Sequence, residues 1–295
     1  MSRREASTRQ VRTPEDGTSQ EGLDKADFER LRELIYAESG INLSADKKTM
    51  LEIRLKRRVR SLGMPSLADY CDHVFGPQGL ERELVHLIDV VTTNKTDFFR
   101  EAGHFDYLVS EALPDLARRH GSNRTSLVWS AGCSTGEEPY TLAMVLSEHA
   151  QACPGFRFSV LATDISTDVL AKARMGIFKS DAVEPVPREL QRKYFMRSRD
   201  RNTDLVRVVP ELRSLVDFRR LNFMDADFGL SEKPEIIFCR NVIIYFDRPT
   251  QERLLRKLAQ QLAPGGYFFA GHSESLQGMD LPLIAVAPSA YRKRP

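Results

Sequence analysis

Cysteine is scarce in this sequence and never paired. Cys71, Cys133, Cys153 and Cys239 are scattered without a CxxC spacing, and the six histidines form no HxxxH pair. Neither a disulfide framework nor a zinc site is indicated, so the expectation is a reduced, cytoplasmic protein without a metal. Long apolar runs are missing as well. None approaches the roughly 18–20 residues of a membrane span, and the most apolar stretch, IIFCRNVIIYF, is broken by Arg240 and Asn241. The opening MSRREASTRQVRTPEDGTSQEG lacks the apolar core of a signal peptide and reads as a disordered arm over 1–22. A strong net charge is lacking too: +2 over 295 residues does not argue for nucleic acid. What remains is an ordinary soluble chain, long enough for two domains.

From Asp24 the texture is helical. DKADFERLRELIYAESG places Phe28, Leu31, Leu34 and Ile35 at 3–4 spacing, between an Asp cap and Gly40. SADKKTMLEIRLKRRVRSLG repeats the arrangement from Ser44 to Gly63, with Met50, Ile53 and Leu55 among its apolar positions. SLADYCDHVFG and ELVHLIDVV follow, which predicts a small helical domain over 23–92. Beyond Asn94 short apolar runs alternate with helical stretches. SLVWSAG, RFSVLATD, PEIIFCRN and YFFAG read as strands, and EEPYTLAMVLSEHA, STDVLAKARMG and PTQERLLRKLAQQLAPGG as helices. This alternation predicts a mostly parallel, doubly wound sheet over 93–295. LVRVV and LVDFRRLNF are β-like but interrupt the alternation, and suggest a small antiparallel excursion at about 190–222.

The strand–turn–helix WSAGCSTGEEPY stands where an open α/β sheet binds its ligand. Gly132 and Gly136 let the backbone approach closely, but the spacing is neither GxGxxG nor a P-loop. The next two residues are Glu137 and Glu138. A pyrophosphate at this helix start would meet both, and charges 4–6 Å apart at a surface-like dielectric repel by on the order of 1–4 kcal/mol. A ligand bearing ammonium and sulfonium groups meets no such opposition. S-adenosylmethionine has that charge pattern. Glutamates in a first helical turn are also ordinary helix starters, so the pair alone does not decide. Asp164, ending the second strand, stands where an acid grips ribose hydroxyls, or caps the helix from Ser166.

Taken together, TTNKTDFFRE, WSAGCSTGEEPYTLAM, ATDIS, FCRNVIIYF and FAGHSE resemble the chemotaxis receptor glutamate methyltransferases, the CheR family. The resemblance runs in order from about Asp24 to Tyr291. It implies a Rossmann-like S-adenosylmethionine-dependent methyltransferase domain with a small antiparallel β-subdomain, preceded by an all-helical domain. It implies methyl transfer to glutamate side chains of membrane chemoreceptors, with S-adenosylhomocysteine as product. By the same resemblance Asn94, Thr96 and Arg100 line the cofactor from the linker. Glu137 (or Glu138, one residue on), Asp164, Asn222, Phe223, Asn241 and Val242 bind it, while Gly132 and Gly136 stay as backbone-approach positions. The loop RSRDRNTDLVRV lacks the glycines that some members carry where a tethering peptide binds. Cys133 stands where a small residue such as Ala is expected.

Methylating a carboxylate needs no general base, because a glutamate is already ionised at neutral pH, its pKa being about 4.3. No triad is therefore sought, and none is found. Arg100 and Tyr245 are the candidates for orienting the acceptor, with Arg100 alternatively holding the carboxylate of the cofactor. His272 reads as a hydrogen-bonded core histidine. The stretch Ser44–Gly63 carries seven cations against two acids, +5 on a chain of total +2. Its Arg54, Arg57 and Arg58 are candidate docking residues for anionic, glutamate-rich receptor helices. No direct membrane insertion and no nucleic-acid partner are expected, since no NPPY-type motif or aromatic-interleaved basic patch is present. Two other readings stand beside the leading one: a regulator that only binds S-adenosylmethionine, and a methyltransferase for another acidic protein or RNA.

Overall fold

The computed structural model describes residues 22–120, 125–200 and 202–294. Apart from Gly22, the arm expected over 1–22 lies outside the described residues.

Helix α1 (Lys25–Ser39) begins at Asp24, whose carboxylate accepts the Asp27 N–H at 2.7 Å, and ends at a left-handed Gly40. Helix α2 (Lys48–Ser61) is preceded by a 3-10 turn, Ala45–Lys47, so Ser44 stands a turn before the helix it was expected to cap. Its inner stripe is Leu51, Leu55 and Val59; Ile53 turns outward and is 67% exposed. Helices α3 (Leu67–Val74) and α4 (Gly79–Val91) complete the bundle. Leu31, Ile35, Leu51, Leu55, Tyr70 and Leu87 meet in one core. Burying an aliphatic side chain of this kind is worth roughly 1.5–3 kcal/mol, which is what holds four short helices together.

A linker passes through α5 (Gly103–Tyr107), a π-turn at Leu108–Ala112 and α6 (Leu113–His120). Then come β1 (Thr125–Ala131), α7 (Glu137–Ala152), β2 (Arg157–Asp164) and α8 (Thr167–Met175). The chain next makes β3 (Ile177–Lys179), α9 (Arg188–Tyr194), β4 (Phe195–Arg197) and β5 (Leu205–Val208). Helix α10 (Pro210–Arg213) and β6 (Val216–Arg220) lead to β7 (Ile236–Cys239) and α11 (Arg248–Gln261). Strands β8 (Tyr267–Ala270), β9 (Leu283–Ala287) and β10 (Ala290–Lys293) finish the fold.

Seven strands form one sheet in the order β6-β2-β1-β7-β8-β10-β9, and β3-β5-β4 form a small antiparallel sheet. Strands β6, β2, β1, β7 and β8 are mutually parallel. IIFC and YFFA are buried at every position because helices cover both faces. The mostly parallel, doubly wound architecture is thus the observed one. Two local expectations are corrected. LVDFRRLNF does not belong to the antiparallel excursion: Val216–Arg220 pairs parallel to β2, from Val160↔Val216 to Asp164↔Arg220. The excursion starts earlier, at Ile177, in a three-residue strand too short to show alternation. The order reverses between β1 and β7, and such a switch point opens a crevice at the strands' carboxyl ends.

Candidate active site

A cleft of about 930 Å3, partly open to solvent, fills that crevice. Three strand ends feed it: Gly132 after β1, Asp164 at the end of β2, and Arg240–Asn241 after β7. The linker supplies Asn94, Thr96 and Arg100, and the segment after β6 supplies Leu221, Asn222 and Phe223. Val242 and Tyr245 close one side, and Ser39 and Ile41 from the end of α1 reach it from the helical domain. The linker, loop and strand-end residues singled out in the sequence, far apart in the chain, therefore meet at one place.

Gly132 has φ +88°, and a Cβ there would stand 2.5 Å from Val242 Cγ2, so only glycine keeps this wall of the cleft. Gly136 does not line the cleft. It sits at φ +103° at the start of α7, where a Cβ would meet Ala173 and Tyr140; its role is helix packing, not ligand approach. Asp164 is 9% exposed and joins two elements. Its Oδ2 accepts the Ser134 N–H at 2.9 Å and its Oδ1 the Ser166 N–H at 3.0 Å. Burial pushes its carboxyl above the usual range while these N–H groups pull it back. Ser134 Oγ in turn donates to the Asn94 carbonyl at 3.0 Å, tying the glycine loop to the linker.

The two glutamates separate. Glu137, the residue first matched to the cofactor, faces away from the cleft: its Oε2 accepts from Thr135 Oγ1 at 2.7 Å, and burial raises its pKa. Glu138, one residue on, is the one that lines the cleft. It is not a free anion, because Ser130 Oγ donates to it at 2.6 Å and Arg240 Nε at 2.7 Å. The α7 start therefore shows a ligand an ion pair rather than two bare carboxylates, and the repulsion argued from the sequence shrinks accordingly. Arg240, which sequence reasoning passed over, also donates to the Arg100 carbonyl at 2.6 Å and to His104 Nδ1 at 3.2 Å. Burial and the Arg240 charge push the His104 imidazolium down to about 4, so this ring is neutral at pH 7. His104 is the buried core histidine; His272 is exposed and stacks edge-on against it.

Glu101, His104 and His272 bring ligand atoms within 4.8 Å of one another. Arg240 stands among them, 3.6 Å from Glu101 Oε2, which makes this an ion-pair network in its own right. Arg100 is half-buried and donates through Nη1 to the Lys95 carbonyl at 3.1 Å. The expected docking residues lie elsewhere, on α2. Arg54 donates to the Val91 and Thr92 carbonyls at 2.8 and 2.9 Å, closing the end of α4. Arg58 grips the buried Glu83 with two bonds of 2.9 and 2.7 Å. All three arginines border one open groove with Ile53 and His86, and of the three Arg57 is the exposed one.

The pattern of these residues has relatives. Residues 26–92 match the family model described as CheR methyltransferase, all-alpha domain, and residues 94–290 the one described as CheR methyltransferase, SAM binding domain. The chain belongs to the CheR methyltransferase family. It is 43% identical over 264 residues to the chemotaxis protein methyltransferase of Escherichia coli, covering 89% of each chain. It is 41% identical over 282 residues to chemotaxis protein methyltransferase 2 of Pseudomonas aeruginosa, covering 95% of this chain and 97% of that one. The protein is thus an S-adenosylmethionine-dependent methyltransferase. The cleft offers groups of the chemistry such a cofactor needs: the carboxylates of Asp164 and Glu138, and the apolar side chains of Ile41, Leu221, Phe223 and Phe246. Among the described residues no helix is long and apolar enough to cross a membrane.

Proposed function

We propose that this chain methylates glutamate side chains of chemoreceptors, forming methyl esters, with Arg100 and Tyr245 orienting the acceptor. The observation that carries the reading is the convergence of Asn94, Arg100, Asp164, Asn241 and Tyr245 on one cleft at the switch point. Bound there, S-adenosylmethionine supplies an electrophilic methyl group. The acceptor arrives ionised, so the residues have no proton to move; their task is alignment and exclusion of water, which contributes roughly 7–11 kcal/mol in well-oriented systems. Arg100 meets a carboxylate with a guanidinium anchored at Lys95, loose enough to leave one oxygen nucleophilic. Tyr245, half-buried in the cleft lining, directs it.

Docking belongs to the exposed face of α2. Arg54 and Arg58 are engaged within the fold, whereas among the described residues Lys56, Arg57 and Arg60 form no ion pair and lie on the stripe of the exposed Ile53. A glutamate-rich helix is complementary to that face, and steering by such charge raises on-rates that fade with salt. The names of the relatives, chemotaxis protein methyltransferases, support this substrate class.

Titration calorimetry with S-adenosylhomocysteine, on wild type and on Asp164→Ala, tests the site. Wild type should bind, and the variant, folded by circular dichroism, should bind at least tenfold more weakly. Hydrogen bonds to a charged group are worth about 1.5–3 kcal/mol. A folded wild type that binds nothing, or equal binding by both, overturns the assignment.

A further inference from the structure

The turn after β8, Gly271–Glu274, touches both segments that carry the orienting pair. Glu274 is 4% exposed, and its carboxylate accepts four main-chain donors. Oε2 takes the N–H of Gly271 at 2.6 Å and of Asn241 at 2.8 Å. Oε1 takes those of Val242 at 2.8 Å and Ile243 at 2.9 Å. Three of the four belong to the segment that brings Asn241, Val242 and Tyr245 to the cleft. Within it Asn241 stands at φ +59°, in the left-handed region that asparagine tolerates better than most side chains.

On its other side the same turn reaches the linker. The His272 N–H donates to Glu101 Oε1 at 3.2 Å, and Glu101, itself at φ +57°, follows Arg100 directly. Gly271 makes the approach possible, since a Cβ there would stand 2.7 Å from Asn241 Nδ2 and 2.9 Å from Asn241 N. Only a carboxylate answers this geometry. Four N–H groups converge, and an amide offers one oxygen plus an NH2 that would face donors with donors.

We propose that Glu274 is a positioning residue for methyl transfer: by holding the 241–243 main chain it fixes Asn241 and Tyr245 relative to Arg100. This rests on the reading of the cleft as the methyl-transfer site. Glu274 is not among the residues lining the cleft; it acts through the backbone it binds.

The test compares Glu274→Gln and Glu274→Asp with wild type by amide hydrogen exchange, S-adenosylhomocysteine calorimetry, and steady-state methylation of a chemoreceptor cytoplasmic fragment. In Glu274→Gln, protection should vanish at 241–243 while the β8 amides stay protected, and kcat should fall on the order of a hundredfold, as for a misplacement of about 1 Å. KM for the receptor should change little, because α2 docking is untouched. Glu274→Asp, which keeps the charge but is shorter by one methylene, should fold and lie between the two. Should Glu274→Gln not fold, Glu274→Asp decides: wild-type kcat with wild-type protection at 241–243 overturns the proposal. The same result in a folded Glu274→Gln overturns it too. A wild type that fails to bind S-adenosylhomocysteine overturns the cleft reading itself, and is told apart because exchange at 241–243 is read without ligand.

Discussion

At Glu138 the carboxylate has two partners, Ser130 and Arg240, and the Arg240 side chain is only 2% exposed. Removing one member of a buried pair costs about 3–5 kcal/mol when the other charge is left uncompensated; here Glu101 Oε2, 3.6 Å from Arg240, remains as a second counter-charge. Glu138→Ala should therefore lower unfolding stability in urea by about 3 kcal/mol, the lower end of that range. Glu137→Gln, which replaces a desolvated carboxylate bonded to the Thr135 hydroxyl and to its own main-chain N–H, should stay within about 1 kcal/mol of wild type. Equal losses would mean that Glu101 compensates Arg240 fully. The carboxyls divide in the same way toward acid. At Glu83 burial acts upward, but the bonds and charge of Arg58 outweigh it, and the pKa lies below 4.5. Its contribution to stability is present above its unfolded pKa and is lost as pH falls through the lower folded value. Asp164 and Glu137 are raised, chiefly by burial, so their ionised forms cost stability at neutral pH and that cost is relieved on acidification. Glu137 thus takes up its proton while Glu83 still holds Arg58. Protonation of Asp164 should weaken S-adenosylhomocysteine binding, and calorimetry on a pH series should show the wild-type affinity falling toward acid while that of Asp164→Ala stays flat. An equal fall in both would contradict this.

Among the elements, α2 shows how one helix serves two masters. Leu51, Leu55 and Val59 form its inner stripe, Arg54 and Arg58 bind the bundle from its flank, and Ile53 and Arg57 turn to the open groove. Arg58→Glu should destabilise the helical domain by about 3 kcal/mol or more, since it sets a second carboxylate against buried Glu83. Arg57→Glu should leave stability within about 0.5 kcal/mol. It should slow receptor methylation at low salt, with the defect shrinking as salt rises and cofactor binding unchanged. A lost cofactor affinity in Arg57→Glu would remove the docking role. The charge run was visible in the sequence, but not which cations were already engaged, because Glu83 and the end of α4 lie a bundle's width away along the chain. Elements with a clear period were legible: α1 from Asp24 to Gly40, and the apolar strands IIFC and YFFA. β3, with three residues, has no period to read, and β6 alternates like an antiparallel strand although it pairs parallel to β2. At the site, side chains carried by motifs were legible. Arg240 and Glu274 were not: Arg240 pairs with Glu138, 102 residues away along the chain, and Glu274 acts through four N–H groups, which leave no signature in side-chain spacing.

Across the whole molecule the helical domain is part of the cleft wall, not an appendage to it. Ser39 and Ile41 line the cleft, and the Asn42 N–H donates to the Tyr245 carbonyl at 2.9 Å. Asn222, expected at the cofactor, borders the cleft but spends its amide on the Glu38 carbonyl at 2.6 Å. Asp89 of α4 accepts both the N–H and the hydroxyl of Thr167 at 2.8 Å, capping α8 from the other domain. A ligand that binds only the assembled cleft must then stabilise both sides, by about 2.7 kcal/mol at a hundredfold excess over Kd. S-adenosylhomocysteine should therefore slow amide exchange at 36–42 as well as at 132–134. The joint can be loosened at Gly40, which has φ +73° and where a Cβ would stand 2.8 Å from Met224 Sδ and 3.3 Å from Phe246 Cδ1. Gly40→Ala pays the left-handed cost of about 1–2 kcal/mol for an L-residue and also pushes Met224 aside. It should weaken S-adenosylhomocysteine binding several-fold although no cofactor-facing side chain has changed. If exchange at 36–42 ignores the ligand and Gly40→Ala binds it like wild type, the helical domain contributes nothing to cofactor binding, and the joint argued from these contacts is absent.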